Sequence, residues 1–132
     1  MSKNRQSILV VEDNLVNQKI ILAMLAKLGY RADVAANGEQ AVQCVQAQRY
    51  GLIFMDCQMP VMDGYAAAQA IRRLDAPGAR RVPIVVLSAN SAGELAEQCN
   101  KAGIDDYMVK PIEYNVLREK LAQWLKAGPL GS

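Results

Sequence analysis

Short apolar runs recur along the chain, and segments with helical periodicity separate them. The runs predict five strands, at residues 8–11, 31–36, 52–55, 84–87 and 107–109. The first, third and fourth runs (ILVV, LIFM and IVVL) are continuously apolar, which is typical of strands that are covered on both faces. The second and fifth runs are shorter or more polar, so we expect them at the edges of a sheet.

The first two intervening segments carry the end signals of helices. An apolar residue recurs at every fourth position from Val16 to Leu28, through Ile20 and Met24, and Gly29 follows as the expected C-terminal cap. Asn37, with Gln40 three residues later, has the spacing of an N-terminal cap for the second helix, whose inward side chains are Ala41, Val42 and Val45.

Three further helices are predicted along the chain. The segment 64–74 is rich in alanine, and Ser91 with Glu94 has capping-box spacing for a helix that ends before Gly103. The inner stripe of the last helix is expected to comprise Leu117, Leu121, Trp124 and Leu125. Five strands alternating with five helices predict an α/β fold, with helices on both faces of a parallel sheet.

The length of 132 residues fits one domain, which we expect to span residues 7–127. Residues 1–6 are expected to form a flexible tail, and the GPLGS sequence at 128–132 resembles a cloning remnant.

Charge and cysteine content exclude several classes of function. Lys plus Arg exceed Asp plus Glu by only 15 to 13, so no broad basic face favours direct binding of nucleic acid or of lipid. No apolar run approaches the length that spans a membrane, so we expect no membrane insertion by this segment. Cys44, Cys57 and Cys99 form no CxxC pair, and we expect no signal peptide before them. These features favour a reducing, cytoplasmic location.

The chain contains no histidine. This absence excludes hydrolysis by a serine or cysteine with a histidine base, zinc sites of the HExxH type, and a phosphohistidine within the chain.

Polar side chains stand at the same end of four predicted strands. The first run ends in Glu12 and Asp13, the third in Asp56, the fourth in Ser88 and the fifth in Lys110. Since parallel strands point the same way, these side chains should emerge together at the carboxyl edge of the sheet, where open α/β folds bind ligands.

Each of these residues also has an ordinary structural interpretation. Asp13 could only cap the first helix, Ser88 could be a turn residue, and Lys110 could be a solvated surface lysine. Asp56 is harder to explain in this way, because a carboxylate at the end of a buried run is costly to desolvate. Four strands with polar residues at one end therefore favour a site.

The chemistry of this cluster suits phosphoryl transfer. Two carboxylates about 4 Å apart repel by roughly 4 kcal/mol at an effective dielectric constant near 20, so Glu12, Asp13 and Asp56 should need a cation. Oxygen ligands without histidine or a thiolate cluster suit Mg²⁺. Lys110 adds a positive charge and Ser88 a hydroxyl donor, so that Asp56 could act as a nucleophile and form an aspartyl phosphate.

Four sequence stretches give the chain a resemblance to a known family. VVEDN at 10–14, MDCQMPVMDG at 55–64, VLSA at 86–89 and YMVKP at 107–111 resemble the response-regulator receiver domains of two-component signalling, in order and spacing, over residues 7–127. EDN and DCQMPVMDG are most similar to the receivers of hybrid sensor histidine kinases.

The resemblance implies a flavodoxin-like strand order, 2-1-3-4-5, and a site at the sheet edge. It implies that Asp56 is the phosphoacceptor and that Glu12 and Asp13 are the acidic pair that holds Mg²⁺, with Glu12 acting through water. It also implies a metal contact from the backbone carbonyl of Gln58.

The resemblance implies further roles around this site. Ser88 and Lys110 match catalytic positions of the family, and the peptide bond before Pro111 is expected to be cis, against a general frequency of about 5% for X-Pro bonds. Gly64 belongs to the matching stretch as a structural residue. Phosphorylation is expected to attract Ser88 and to turn Tyr107 inward, which alters the surface of the fourth helix, fifth strand and fifth helix.

Three of these residues have two interpretations each. Tyr107 could instead be an ordinary aromatic residue of an edge strand. Gln58 and Asn90 could tune dephosphorylation or could be polar loop residues without a role.

The expected function is that of a phosphoacceptor in a phosphorelay. The expected phosphodonor is either a phosphohistidine on a separate protein, a sensor histidine kinase or a histidine phosphotransfer protein, or a small molecule such as acetyl phosphate. A weak homodimer is a further possibility. The domain would catalyse its own phosphorylation and dephosphorylation without being a turnover enzyme.

Rival functions are a docking receiver that needs no phosphorylation, a Mg²⁺-dependent aspartyl phosphatase, and a flavin or nucleotide-binding module. A phosphatase of that kind requires a second acid at the position of Gln58. A nucleotide-binding module requires a glycine-rich loop after the first strand, where the sequence reads EDNLVN. A free-standing regulator and a receiver within a hybrid kinase would have the same motifs.

Overall fold

The computed structural model of the chain describes residues 7–48, 50–56, 64–74, 82–88 and 103–125. Within these residues the strands are β1 (Ile8–Val11), β2 (Ala32–Ala35), β3 (Leu52–Asp56), β4 (Ile84–Ser88) and β5 (Asp106–Val109). The helices are α1 (Leu15–Lys27), α2 (Gly38–Ala47), α3 (Gly64–Arg73) and α4 (Tyr114–Leu125).

All five predicted strands are confirmed, as are the four predicted helices that fall in the described ranges. The helix predicted from Ser91, the predicted tail at 1–6 and the predicted remnant at 128–132 lie outside the described residues.

The strands form one parallel sheet in the order β2-β1-β3-β4-β5, which confirms the flavodoxin-like order. The polar strands β2 and β5 are at its edges, as predicted. Every residue of β1, β3 and β4 is buried, because these central strands are covered on both faces. Since all strands are parallel, their carboxyl ends lie along one edge.

Alternation along the strands divides the core into two layers. Leu9, Ile53 and Val86 pack on one face, with side chains of α2 and α3. Val10 and Phe54 pack on the other face, with side chains of α1 and α4. Among the described residues, no helix is both long and apolar enough to cross a bilayer.

The apolar residues of α1 do not all face the core. Ile21 and Leu25 are buried, whereas Val16 and Ile20 are 65% and 45% exposed. An α-helix has 3.6 residues per turn, so a stripe with a four-residue spacing rotates by roughly 40° around the helix at each step. The stripe that begins at Val16 predicts the helix correctly, but only its C-terminal part, at Met24 and Leu28, packs against the core.

Asparagine side chains cap the first two helices. Asn14 Oδ1 accepts a hydrogen bond from the Asn17 amide at 2.9 Å, and Asn37 Oδ1 accepts one from the Gln40 amide at 2.9 Å. The cap at Asn37 is therefore confirmed. The cap of α1 is Asn14, so the alternative interpretation of Asp13 as that cap is wrong. Gly29, with φ of 91°, follows α1 as expected.

A carboxylate at the start of β5 ties this edge strand to α4. Asp106 Oδ2 accepts hydrogen bonds from Lys120 Nζ at 2.6 Å and from Trp124 Nε1 at 3.0 Å, and Oδ1 accepts one from the Tyr107 amide at 2.8 Å. Burial alone would raise the pKa of Asp106, but these three donors hold it below its usual value of 3.8. This clamp, formed by Asp106 with Lys120 and Trp124, holds the start of β5. The other end of the same strand leads to Lys110.

Candidate functional site

The fold brings the predicted polar residues to the carboxyl edge of the sheet. Glu12 follows β1, Asp56 and Ser88 end β3 and β4, and Lys110 follows β5. Glu12, Asp56 and Ser88 are only 1%, 2% and 1% exposed. Burial of two acids and a hydroxyl at one edge is costly unless they are paired or bind a ligand, which favours a functional site.

Lys110 reaches across the sheet edge to Asp56. Its Nζ lies 3.0 Å from Asp56 Oδ1, and its backbone amide donates to the Ser88 carbonyl at 2.8 Å. The Lys110–Pro111 peptide bond is cis, as expected. An ion pair between residues 54 positions apart in the chain thus joins two strands that are not neighbours.

The carboxylates of Glu12, Asp13 and Asp56 form one cluster, in which an oxygen of each lies within 4.8 Å of the others. Asp13 is exposed, whereas the other two are buried. Burial, and secondarily the charge of Asp56, raises the pKa of Glu12 from 4.5 to about 7, against the opposing effects of the Asn14 amide and Lys110. The charge of this cluster is therefore only partly compensated by Lys110.

Three hydrogen bonds hold Glu12 in place. Its amide donates to the Ala35 carbonyl at 3.0 Å, its Oε2 accepts from the Asn14 amide at 3.2 Å, and its carbonyl accepts from Gln18 Nε2 at 2.6 Å. Glu12 Oε1 is buried and has no hydrogen-bond partner among the described residues. A buried carboxylate oxygen without a donor, beside two more acids, fits a hard divalent cation.

Ser88 and Tyr107 lie on the same face of the sheet. Val86 pairs with Tyr107, and Ser88 is two residues beyond Val86 in the same strand. Residues two apart in a strand point to the same side. Tyr107 is half-buried and packs against the core layer that contains Val86. This placement is compatible with the predicted coupling between the two side chains.

Other predicted site residues are only partly described. Gly64 begins α3, where the prediction also starts a helix. Gln58 and Asn90 lie outside the described residues, as do Cys57 and Cys99. Cys44 is a free thiol.

Two residues that hold the acidic loop, Asn14 and Gln18, are not among the predicted site residues. The cap at Asn14 could have been predicted, because asparagine directly precedes the helical segment. Gln18 gave no such signal, because its contact with Glu12 depends on how α1 leaves the sheet.

A response regulator receiver domain profile matches residues 8–122 of the chain. The hybrid signal transduction protein dokA of Dictyostelium discoideum is 37% identical over 131 residues, which cover 99% of this chain and 8% of that protein. Hybrid signal transduction histidine kinase B of the same organism is 45% identical over 121 residues, which cover 85% of this chain and 6% of that protein. The chain therefore spans a small fraction of these relatives.

Receiver domains of known structure are also similar to this chain. The receiver domain of sensor histidine kinase PA1611 from Pseudomonas aeruginosa PAO1, with a magnesium ion coordinated in its active site cleft, has a TM-score of 0.82 at 47% identity, covering 92% of this chain and 98% of that one. A co-crystal structure of the Saccharomyces cerevisiae histidine phosphotransfer signaling protein Ypd1 and the receiver domain of its downstream response regulator Ssk1 gives a TM-score of 0.85 at 32% identity, covering 92% and 89%.

Proposed function

The chain belongs to the response regulator receiver domain family, and from this premise we propose that Asp56 is the residue that accepts a phosphoryl group. One observation carries the proposal. Lys110 Nζ lies 3.0 Å from Asp56 Oδ1, beside an acidic cluster that is suited to a cation. A carboxylate with positive charge on one side and cation ligands on the other can attack phosphorus while its surroundings neutralise the transferred charge.

Asp56, Lys110 and Ser88 have different roles in the proposed phosphoryl transfer. A carboxylate oxygen of Asp56 attacks the phosphorus of the donor in line with the bond that breaks. Lys110 contacts Oδ1 in the ground state and is placed to bind an oxygen of the transferred group. Ser88, which is buried at the end of β4, supplies a hydroxyl on the same edge. Since the chain has no histidine, a phosphohistidine donor must lie outside residues 1–132.

Magnesium is the cation that we propose for the acidic cluster. Carboxylates of Asp13 and Asp56 would hold it directly and Glu12 would hold it through water, with the Gln58 carbonyl as a further ligand. When bound, Mg²⁺ neutralises the carboxylates and stabilises the charge of the phosphoryl group in transfer. The unpaired Oε1 of Glu12 supports this assignment, because that buried oxygen otherwise has no partner among the described residues.

The proposed partners are a sensor histidine kinase, a histidine phosphotransfer protein, or both. The relatives named as hybrid histidine kinases and the receiver co-crystallised with Ypd1 support this choice. We also propose a cytoplasmic location, which the free thiol of Cys44 favours. The proposed domain spans residues 7–127, and the resting surface is expected to change when Tyr107 responds to phosphate at Asp56.

Incubation with acetyl phosphate and Mg²⁺, followed by mass spectrometry, tests the function. We expect one added phosphoryl group that hydroxylamine removes and that is absent in Asp56→Asn. Asp33→Asn, a matched change on the exposed edge strand β2, should leave the modification intact. Failure of the wild-type chain to take phosphate would overturn the proposal, and multiple turnover of a phosphomonoester would support the aspartyl phosphatase instead.

A further inference from the structure

We propose that Gln18 is a positioning residue for the metal-binding acids, holding the backbone of Glu12 so that its unpaired carboxylate oxygen faces the cation site. The inference rests on the proposed metal-dependent phosphoacceptor function. Gln18 lies in the first turns of α1, and its Nε2 donates to the Glu12 carbonyl at 2.6 Å. This contact spans six positions of the chain and joins the helix to the acidic loop.

The hydrogen bond from Gln18 holds the connection between β1 and α1, which lies beyond the end of the sheet. β1 ends at Val11, and α1 begins at Leu15, so Glu12 and Asp13 occupy the short connection between them. The Glu12 amide is held by Ala35 on the edge strand, and the Glu12 carbonyl is held by Gln18. With both peptide groups fixed, rotation of the backbone at Glu12 is restricted, and the direction of its side chain and of Asp13 is restricted with it.

Stabilisation of α1 alone does not explain the geometry. The helix already has its own cap, because Asn14 Oδ1 accepts from the Asn17 amide. The Gln18 side chain bonds instead to Glu12, two residues before that cap. Glu12 Oε2 is occupied by the Asn14 amide, so Oε1 is the oxygen that this arrangement leaves for a ligand.

Mg²⁺ is sensitive to such positioning because it demands nearly ideal octahedral geometry. Partners that hold the ligands of a metal, without touching the metal, typically contribute about 10- to 100-fold to its affinity. We therefore expect Gln18→Met, which keeps the length of the side chain but removes the donor, to weaken Mg²⁺ binding about tenfold. Gln18→Ala serves as a second variant, because alanine is a strong helix former and should leave α1 intact.

The test is a titration of the unphosphorylated chain with Mg²⁺ by calorimetry, together with urea unfolding in EDTA. Gln43→Met on the exposed side of α2 controls for the substitution itself. Ile71→Val, on the buried face of α3, controls for lost stability at a position outside the proposed site. Both controls should bind Mg²⁺ as the wild type does.

Phosphorylation by acetyl phosphate, measured against Mg²⁺ concentration, separates positioning from a chemical role. In Gln18→Met the concentration of Mg²⁺ at half-maximal rate should rise about tenfold, while the rate at saturation stays near that of the wild type. Unchanged Mg²⁺ affinity in both Gln18 variants, a reduced rate at saturating Mg²⁺, or equal weakening in Ile71→Val would each overturn the inference. A wild-type chain that binds no Mg²⁺ would instead remove the proposed function, and the inference with it.

Discussion

Lys110 Nζ and Asp56 Oδ1 are 3.0 Å apart, and the aspartate side chain is only 3% exposed. The two residues leave the sheet at the ends of β5 and β3, with β4 between them. This charge pair depends on β3 and β5 running in the same direction, because strands that are parallel end at the same edge of a sheet.

Replacement of Lys110 by methionine should abolish most phosphorylation of Asp56. The change removes the cation that faces the carboxylate and leaves that buried group with one donor fewer. We expect the metal-free chain to lose about 1–3 kcal/mol of unfolding free energy, as is typical when a buried charged group loses its partner. Urea unfolding and phosphate incorporation measure the two effects. Lys19→Met, on the exposed surface of α1, is the matched control and should alter neither.

Asp13→Asn should stabilise the metal-free chain and prevent its phosphorylation. The substitution removes repulsion from Glu12 and Asp56, and it removes a metal ligand at the same time. The melting temperature in EDTA should rise, on the order of a few degrees, and the further rise that Mg²⁺ produces in the wild type should disappear.

Glu39→Gln controls for the loss of one negative charge in that experiment. This residue lies in the first turn of α2, where an acid interacts favourably with the helix dipole, so its replacement should lower stability slightly. Normal phosphate acceptance by Asp13→Asn would exclude Asp13 from the metal site.

The stability of the metal-free chain should fall as the pH rises from about 4.5 to about 7. Glu12 has a pKa of about 7 in the folded chain, against 4.5 when unperturbed, so within this window the native state keeps a proton that the unfolded chain has released. The stabilising contribution is complete below the unperturbed pKa and is lost as the pH passes through the folded value. The expected loss is on the order of 2 kcal/mol.

Mg²⁺ affinity should rise over the same pH window, because the cation competes with the proton on Glu12. Calorimetric titration near pH 6 in two buffers of different ionisation enthalpy should show proton release on binding. Glu12→Gln should flatten both profiles. Asp106 does not interfere, since its pKa is lowered and its contribution is lost only at more acid pH. Equal Mg²⁺ affinity at pH 5.5 and 7.5 would contradict the role given to Glu12.

Asp106→Ala should loosen α4 from β5 without altering the metal site. The change removes the acceptor of Lys120 and Trp124, for an expected loss of about 1–3 kcal/mol. Trp124 is the single tryptophan of the chain, so its emission reports on the contact directly. Asp33→Ala, which removes an acceptor from the opposite edge strand, should leave that emission unchanged. Mg²⁺ affinity should be the same in both variants.

The fold and the central contact of the site could be predicted because they follow from patterns along the chain. Continuous apolar runs identify the central strands, and parallel strands bring their ends to one edge, so the approach of Lys110 to Asp56 needs no further information. The orientation of α1 was harder to predict, because a four-residue apolar spacing is compatible with more than one buried face. Its exposed residues Val16 and Ile20 belong to the same stripe as the partly buried Met24.

Contacts that depend on the packing of separate elements could not be predicted from the pattern. Gln18 reaches Glu12 across the connection between β1 and α1, and periodicity does not specify the geometry of that connection. The clamp from Asp106 to Trp124 likewise needs the position of α4 against β5. Both contacts involve polar residues whose sequence context is also typical of a solvated surface.

Ser88→Ala should separate phosphate acceptance from the response of β5. The hydroxyl is buried at the end of β4, and Tyr107 lies on the same face of the sheet, two positions back in register. Since Asp56, Lys110 and the acidic cluster stay intact, the variant should bind Mg²⁺ normally and still take phosphate from acetyl phosphate.

In the wild type, phosphorylation should change hydrogen exchange at the amides of Tyr107 and its neighbours. In Ser88→Ala most of that change should disappear, whereas Ser88→Thr, which keeps the hydroxyl, should retain it. A full response in the alanine variant would show that Tyr107 responds to phosphate by a route that does not need Ser88. No response in the wild type would show that Tyr107 is an ordinary edge-strand aromatic.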